Sequence, residues 1–206
     1  MNVRCEENRL TLNSTKSKCL LVTRHNSCNI EGLTVQSVPS LKLLGLNFNS
    51  KLNWDTHVDK LRLTCCRRLH ILRKLRGLIS RSNLLLVYTA IIRSLLEYAC
   101  PVFVGLNKKN SIILQKIEKR AYRIIFHDST NADDTDNTAD AHLKSRRLDL
   151  STRLWNTIEK DTEHVLHQTI PKRHRNTNKL RIEYHRTDKL GNSFFQLMAR
   201  TLNNCK

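Results

Sequence analysis

The chain has 206 residues, with 36 Lys and Arg against 18 Asp and Glu, for a formal net charge of +18. One or two domains are expected at this length, and a balance this basic points to a polyanionic partner, nucleic acid or an anionic membrane. No apolar run reaches the roughly 18 residues of a spanning helix. The start, MNVRCEENRL, lacks the apolar core of an export signal. A membrane partner is therefore not expected, and an intracellular place, cytoplasmic or nuclear, is.

Taken in order, Cys19-Leu20-Leu21-Val22 has the composition of a short strand, and Thr23 to Ile30 of a polar connection. Leu33 to Val38 alternates as a half-buried strand does, and Pro39 ends it because proline cannot donate to a ladder. Leu41 to Phe48 is the next expected strand. Gly45 within it suits either a simple bulge or a turn that admits another backbone.

Trp54, Val58, Leu61, Cys65, Leu69, Leu72 and Leu75 recur in steps of three and four, the period of one helix face. Lys60, Arg62, Arg67, Arg68, Arg73, Lys74 and Arg76 lie between them. Asn53 or Asp55 can cap this helix, and Gly77 lies near its end. Ser80 and Ser82 open a second helix, Asn83 to Tyr98, apolar nearly all round and so expected to be central, with Pro101 stopping it. Asn107 or Asn110 caps a third, with an apolar stripe at Ile113, Leu114, Ile117, Ala121 and Ile124 and a basic side carrying Lys108, Lys109, Lys116, Lys119, Arg120 and Arg123.

His127 to Ala139 is a polar, acidic break. A further helical block is expected from Ala141 to about Ile170, with Leu143, Leu148, Leu150, Leu154 and Ile158 as its stripe. Pro171 to Arg175 begins a basic run without expected regular structure. A short amphipathic helix closes the chain with Phe194, Phe195, Leu197, Met198 and Leu202.

The expected fold class is α+β, mainly α: a small antiparallel sheet between roughly Lys18 and Phe48, a three-helix bundle, and a helical C-terminal region. The expected segments are 1–50, 51–127, a linker at 128–140, and 141–206. Trp54, Leu61, Leu69, Leu72, Tyr88, Ile91, Leu95, Leu114, Ile117 and Ile124 should be buried together.

One ordered set of residues carries more. It runs Leu43-Leu44-Gly45, Leu52-x-Trp54-x-x-His57, a basic helix, Leu84-Leu85, Tyr88, Ile92-Arg93, Leu96-Glu97-Tyr98, Leu114-Gln115-Lys116 and Arg123-Ile124. Ser145-Arg146-Arg147-x-x-Leu150 and His164-x-Leu166-His167 follow it. The set resembles the region after the catalytic core in reverse transcriptases of non-LTR retrotransposons. The resemblance implies that 1–50 ends a polymerase palm with a primer-grip turn at Gly45, and that 51–127 is a thumb. It implies RNA, DNA or their hybrid as partner, and RNA-directed DNA polymerisation with Mg2+ as the activity of the intact enzyme. Lys16-Ser17 stands where the family usually has Lys-Thr. There Lys16 would protonate the leaving pyrophosphate, but with the rest of that site missing from the chain a solvated lysine before a strand is the favoured reading.

Nucleic-acid contacts are expected from Lys42, Gly45, Lys60, Arg67, Arg68, Arg73, Lys74, Arg76, Lys116, Arg120 and Arg123. The family's catalytic aspartates would precede Met1, so the chain is expected to be a truncated copy or gene fragment, inactive by itself and without a cofactor of its own. The alternative is a basic helical interaction module co-opted from such an element, or a product with no function.

Three features imitate sites. Ala132-Asp133-Asp134 lacks the aromatic residue and apolar flanks of a polymerase aspartate hairpin and is expected to be a loop. His164-x-x-His167 could share a helix face, but no further ligand is placed by sequence, so structural bonds are expected there instead of a metal. Seven cysteines, an odd number without C-x-x-C spacing, argue against a disulfide framework or zinc knuckle, and of Cys65 and Cys66 at least one should pack in the core.

Overall fold

The structure, a computed structural model, describes residues 7–9, 13, 16–22, 37–126 and 132–204. It is mainly helical with one small antiparallel sheet, the expected class. Two compact units make up the chain, Met1–Asp59 and Lys60–Lys206. The bundle from Lys60 onward and the C-terminal helices fall in the same unit.

In the first unit, β1 (Ser40–Leu43) pairs antiparallel with β2 (Leu46–Asn49), Leu43 standing opposite Leu46. The single strand expected at 41–48 is therefore a hairpin, and Gly45 is a turn residue instead of a bulge. Leu44 and Gly45 form the turn with φ of 45° and 84°. Two-residue hairpin turns need positive φ at such positions because only that twist matches the flanking strands. Gly45 adopts it freely, whereas Leu44, its side chain exposed, is held there by the pairing on either side. Cys19 makes one parallel bridge to Ser37, closed by Val38 N–H to Cys19 O at 2.8 Å, in place of an antiparallel ladder. Most of the strand expected at 33–38 and the connection at 23–30 lie outside the described residues.

The spacing Leu52-x-Trp54-x-x-His57 has a packing explanation. Trp54 immediately precedes α1 (Asp55–Leu75) and His57 lies in its first turn. The Trp54 ring meets Phe48 of β2 edge-on at 5.5 Å and His57 at 6.0 Å, and His57 is buried. Trp54 itself is only half-buried. Asn53 donates its N–H to Asn49 Oδ1 at 3.0 Å, and Asp55 sits inside the first turn, where a helix favours an anion.

In the second unit, α1 buries Leu61, Cys65, Leu69 and Leu72, as its periodicity predicts. The second helix opens at Ser80, whose Oγ accepts from Asn83 N at 3.3 Å. It runs as α2 (Arg81–Tyr88), a π-helical turn (Thr89–Arg93) and α3 (Ser94–Glu97). Its buried row is Leu84, Tyr88, Ile92 and Leu96, while the expected Ile91 and Leu95 are only half-buried. The π turn explains the one-residue rotation. Steps of four drift around a helix of 3.6 residues per turn, and a wider turn brings the row back to one face. Nor is this helix covered all round, since Leu86 is 67% exposed. Its apolar character exceeds what its neighbours can bury.

Ala99, with φ of 51°, turns the chain into a 3-10 turn (Cys100–Phe103) that has Pro101 near its start. Asn107 caps α4 (Lys108–Ile125), accepting from Asn110 N at 2.8 Å. This helix buries Leu114, Ile117, Ala121, Ile124 and Ile125, and with them Glu118.

Next comes α5 (Ala132–Lys160), which starts within the expected linker and ends ten residues before the expected Ile170. The acidic run contains no glycine or proline, so its backbone has nothing to break a helix. The buried row of α5 is Leu143, Arg147, Ser151, Trp155 and Ile158, which keeps Leu143 and Ile158 of the expected stripe and leaves Leu148, Leu150 and Leu154 half-buried. A 3-10 turn (His167–Thr169) follows, then α6 (Asp188–Gly191) and α7 (Phe194–Asn204). Trp155, Leu180, Met198 and Ala199 form a core that Leu148, Ile170, Phe194 and Phe195 pack against. Gly105 lies so close to the Asn192 backbone that a Cβ there would stand 1.8 Å from Asn192 O.

The rotation of the second helix is directly testable. Ile92→Ala should cost about 2–5 kcal/mol in urea unfolding, and Ile91→Ala clearly less. Equal losses would mean that the π turn does not set the buried face.

Candidate nucleic-acid interface

The expected contact residues fall into three groups. Lys16, Lys42 and Gly45 belong to the first unit, where Lys42 is exposed on β1 opposite Asn47 and Lys16 is exposed in a turn closed onto Asn13. Lys60, Arg67, Arg73 and Lys74 are exposed along α1 and Arg76 just past its end, and Lys116, Arg120 and Arg123 are exposed along α4. Arg68 is different. It is half-buried, and its Nη1 donates to the carbonyl of Ile91 inside the π turn. A helix's carbonyl ladder loosens at such a turn, so Arg68 is a structural clamp and not a surface contact.

Arg73 of α1 and Arg120 of α4 line one cleft of about 210 Å³ with Cys66, His70, Leu69 and Ile124. Cys66, His70 and Arg73 are spaced four and three apart on α1, and Lys116, Arg120 and Arg123 are spaced the same way on α4. Each triplet therefore stands on one helix face. At 1.5 Å per residue the α4 row spans about 10 Å, room for about three phosphates of one strand at 3.4 Å per step. Leu69 and Ile124 are buried and form an apolar floor. Guanidinium groups over such a floor suit phosphate oxygens, which they grip in a two-pronged way. His70 was not singled out from sequence, and Cys66 only as a candidate for core packing. Their positions one and two turns before Arg73 were the available signal.

Other cations of this unit hold the fold together. Arg146 meets Glu97 through two bonds, Nη2 to Oε2 being 3.0 Å, and Arg93 Nε approaches Glu97 Oε1 at 3.5 Å. Arg147 is buried. Its Nη2 donates to Phe103 O at 3.2 Å, and its guanidinium lies 4.9 Å from the Phe103 ring centre. Burial pulls the Arg147 pKa below its ordinary value. These contacts join α3 and the 3-10 turn to α5.

A buried acid sits in the middle of the bundle. Tyr88 Oη donates to Glu118 Oε1 at 3.2 Å, and Tyr122 packs edge-on against Tyr88 at 5.6 Å. Burial pushes the Glu118 carboxyl from an ordinary 4.5 up to about 7. The Tyr88 bond and the charge of Arg93 pull the other way, and Glu97 adds to the rise. Burial likewise raises both tyrosines. Cys65 is fully buried and its thiol is pushed up to about 12, so it packs as a small apolar side chain while Cys66 lines the cleft.

The imitating features resolve structurally. Asp133 and Asp134 fall in helix α5 and not in a loop. His164 and His167 lie beyond the end of α5 and do not share a helix face. His167 Nδ1 donates to Ile158 O at 2.8 Å, and His164 Nδ1 accepts from Leu166 N at 3.1 Å. Among the described residues no group of three or more His, Cys, Asp or Glu is placed to hold a metal ion. Among them, too, no helix is long and apolar enough to cross a membrane. No protein-family model, curated protein or solved structure matches the chain.

Two outcomes follow from the buried groups. The raised Glu118 pKa means that the folded state holds a proton the unfolded state releases. Its stabilising contribution is thus whole below about pH 4.5 and is lost as the pH rises to about 7. Glu118→Gln keeps an acceptor for Tyr88 and removes that titration. Relative to wild type it should therefore gain stability between pH 4.5 and pH 8, by on the order of 3 kcal/mol, measured as the difference in urea unfolding free energies. Arg68→Gln should lower unfolding free energy by about 1–2 kcal/mol and leave the salt dependence of nucleic-acid binding unchanged.

Proposed function

We propose that this chain is a thumb-like element related to the reverse transcriptases of non-LTR retrotransposons, and that it holds a nucleic-acid backbone without reading its sequence. The observation that supports this most directly is the cleft where Arg73 and Arg120 converge, continued by Lys116 and Arg123 on α4. A polyanion passing between α1 and α4 would meet cations from both helices. Contacts of that kind position a duplex or hybrid and carry no base information. The order of motifs from Leu43 to Ile124 also supports the family reading, because Tyr88, Ile92, Leu96, Leu114 and Ile124 of that order are buried in a helical bundle, the architecture a thumb needs. The primer-grip reading of Gly45 stands beside this as part of the proposal, since a tight hairpin turn is compatible with a close backbone approach. In this reading the chain grips and does not polymerise, and purified protein with Mg2+ is expected not to extend a primed RNA.

Binding to labelled duplex DNA and to an RNA–DNA hybrid, measured across salt concentrations, tests the grip. Each phosphate neutralised on duplex DNA adds about −0.9 to the slope of log K against log salt. The variant Arg73→Gln/Arg120→Gln should flatten the slope by about 1.8 at nearly unchanged stability, since exposed substitutions cost under about 0.5 kcal/mol each. Affinity should depend little on base sequence. An unaltered slope in that variant, or tighter binding to an acidic polypeptide than to any nucleic acid, would favour a protein-interaction module instead.

A further inference from the structure

A second pocket lies in the C-terminal part, away from the α1–α4 cleft. It encloses about 790 Å³, within the range of small-molecule sites. The basic run that was expected to be irregular builds one of its walls. Lys172 to Arg181 folds back on itself: Arg181 N donates to Lys172 O and His174 N to Lys179 O, each at 2.8 Å, and Arg173 bridges antiparallel to Leu180. In such a pairing, neighbouring side chains point to opposite faces. Arg173 turns one way, to Glu159 at 2.8 Å, and its partner Leu180 enters the core beside Trp155. Lys172, His174 and Arg181 take the other face and line the pocket.

Opposite them stands the first turn of α7. Phe195, half-buried, lines the pocket, and Ile170 and Leu190 add apolar wall. Behind Phe195 is Trp155, with ring centres 6.1 Å apart. The lining thus has two permanent cations and an imidazole against one carboxylate, Glu183, with an aromatic face close by. The start of the eleven-residue α7 adjoins the same wall, Ser193 and Gln196 lining the pocket with Phe195. That combination suits a ligand with a phosphate at one end and a flat apolar body at the other.

We propose that this pocket binds a single unpaired nucleotide, the phosphate at Lys172, His174 and Arg181 and the base against Phe195. Base stacking on an aromatic side chain tolerates any base, so little base preference is expected. The nucleotide can be free or can be an unpaired residue of a strand. The site shares no residue with the Arg73–Arg120 cleft, so either can fail without the other.

Trp155 makes the test direct, because a ligand on Phe195 changes the packing of the ring behind it. Titrating the full chain with AMP should give a saturable change in tryptophan fluorescence, with inorganic phosphate at least tenfold weaker. Lys172→Gln/Arg181→Gln should weaken AMP at least tenfold while circular dichroism and melting stay as in wild type, both side chains being exposed. Arg73→Gln/Arg120→Gln should bind AMP as wild type does. In that background, an eight-nucleotide single strand that binds tighter than AMP through Lys172 and Arg181 would assign the site to a strand, and AMP binding alone would assign it to a free nucleotide. Absence of a saturable signal with both probes, phosphate as tight as AMP, or AMP binding untouched by Lys172→Gln/Arg181→Gln would overturn the proposal.

Discussion

The bundle depends on one row of side chains, Leu84, Tyr88, Ile92 and Leu96, kept on a single face across an interrupted helix. Four-residue steps on a straight α-helix would wind that row about a third of a turn over its length. The π turn at Thr89–Arg93 takes up the winding, and two polar arrangements attach to it. Arg68 closes on the Ile91 carbonyl, tying α1 to the turn, and Tyr88 brings its hydroxyl onto Glu118, tying α4 to the row. Just beyond, Glu97 gathers Arg93 and Arg146, so α5 is held to the same helix. Where an apolar row is this well buried, each polar group beside it needs a partner, and those partners are what fix the neighbouring helices.

This packing divides the cations by role. A net charge of +18 does not make every Lys and Arg a nucleic-acid contact. Arg68, Arg93, Arg146, Arg147 and Arg173 are engaged with carbonyls, carboxylates or rings. Arg73, Arg120, Lys116 and the other exposed residues of α1 and α4 are presented outward, and two of them converge over an apolar floor. Exposed charge on its own stabilises little, so two cationic rows flanking a cleft are more readily understood through what they could hold than through the fold.

Much of the helical architecture was legible from residue order. The stripe Val58, Leu61, Cys65, Leu69, Leu72 is buried as its spacing predicts, and the caps at Ser80 and Asn107 act as their types suggest. The stripe of α5 was not legible in the same way. Its buried face passes through Arg147 and Ser151, which composition assigns to the surface, because Phe103 and the 3-10 turn supply a lid and an acceptor that no local pattern announces. Of the candidate site, the cationic helices were visible in sequence. That Arg73 and Arg120 meet, and that Arg68 turns inward, was not.

By itself the sequence determined the periods, the caps and the overall charge, since each depends on neighbours within about one helical turn. The tertiary structure alone decided which of Ile91 and Ile92 is covered, that Arg68 closes on the Ile91 carbonyl, that Arg147 is buried against Phe103, and that Arg73 and Arg120 line one cleft. Those outcomes hinge on groups far apart in the chain, and a local pattern carries no information about where a distant partner lies. Burial and charge pairing act through space, so they become fixed only once the helices have packed.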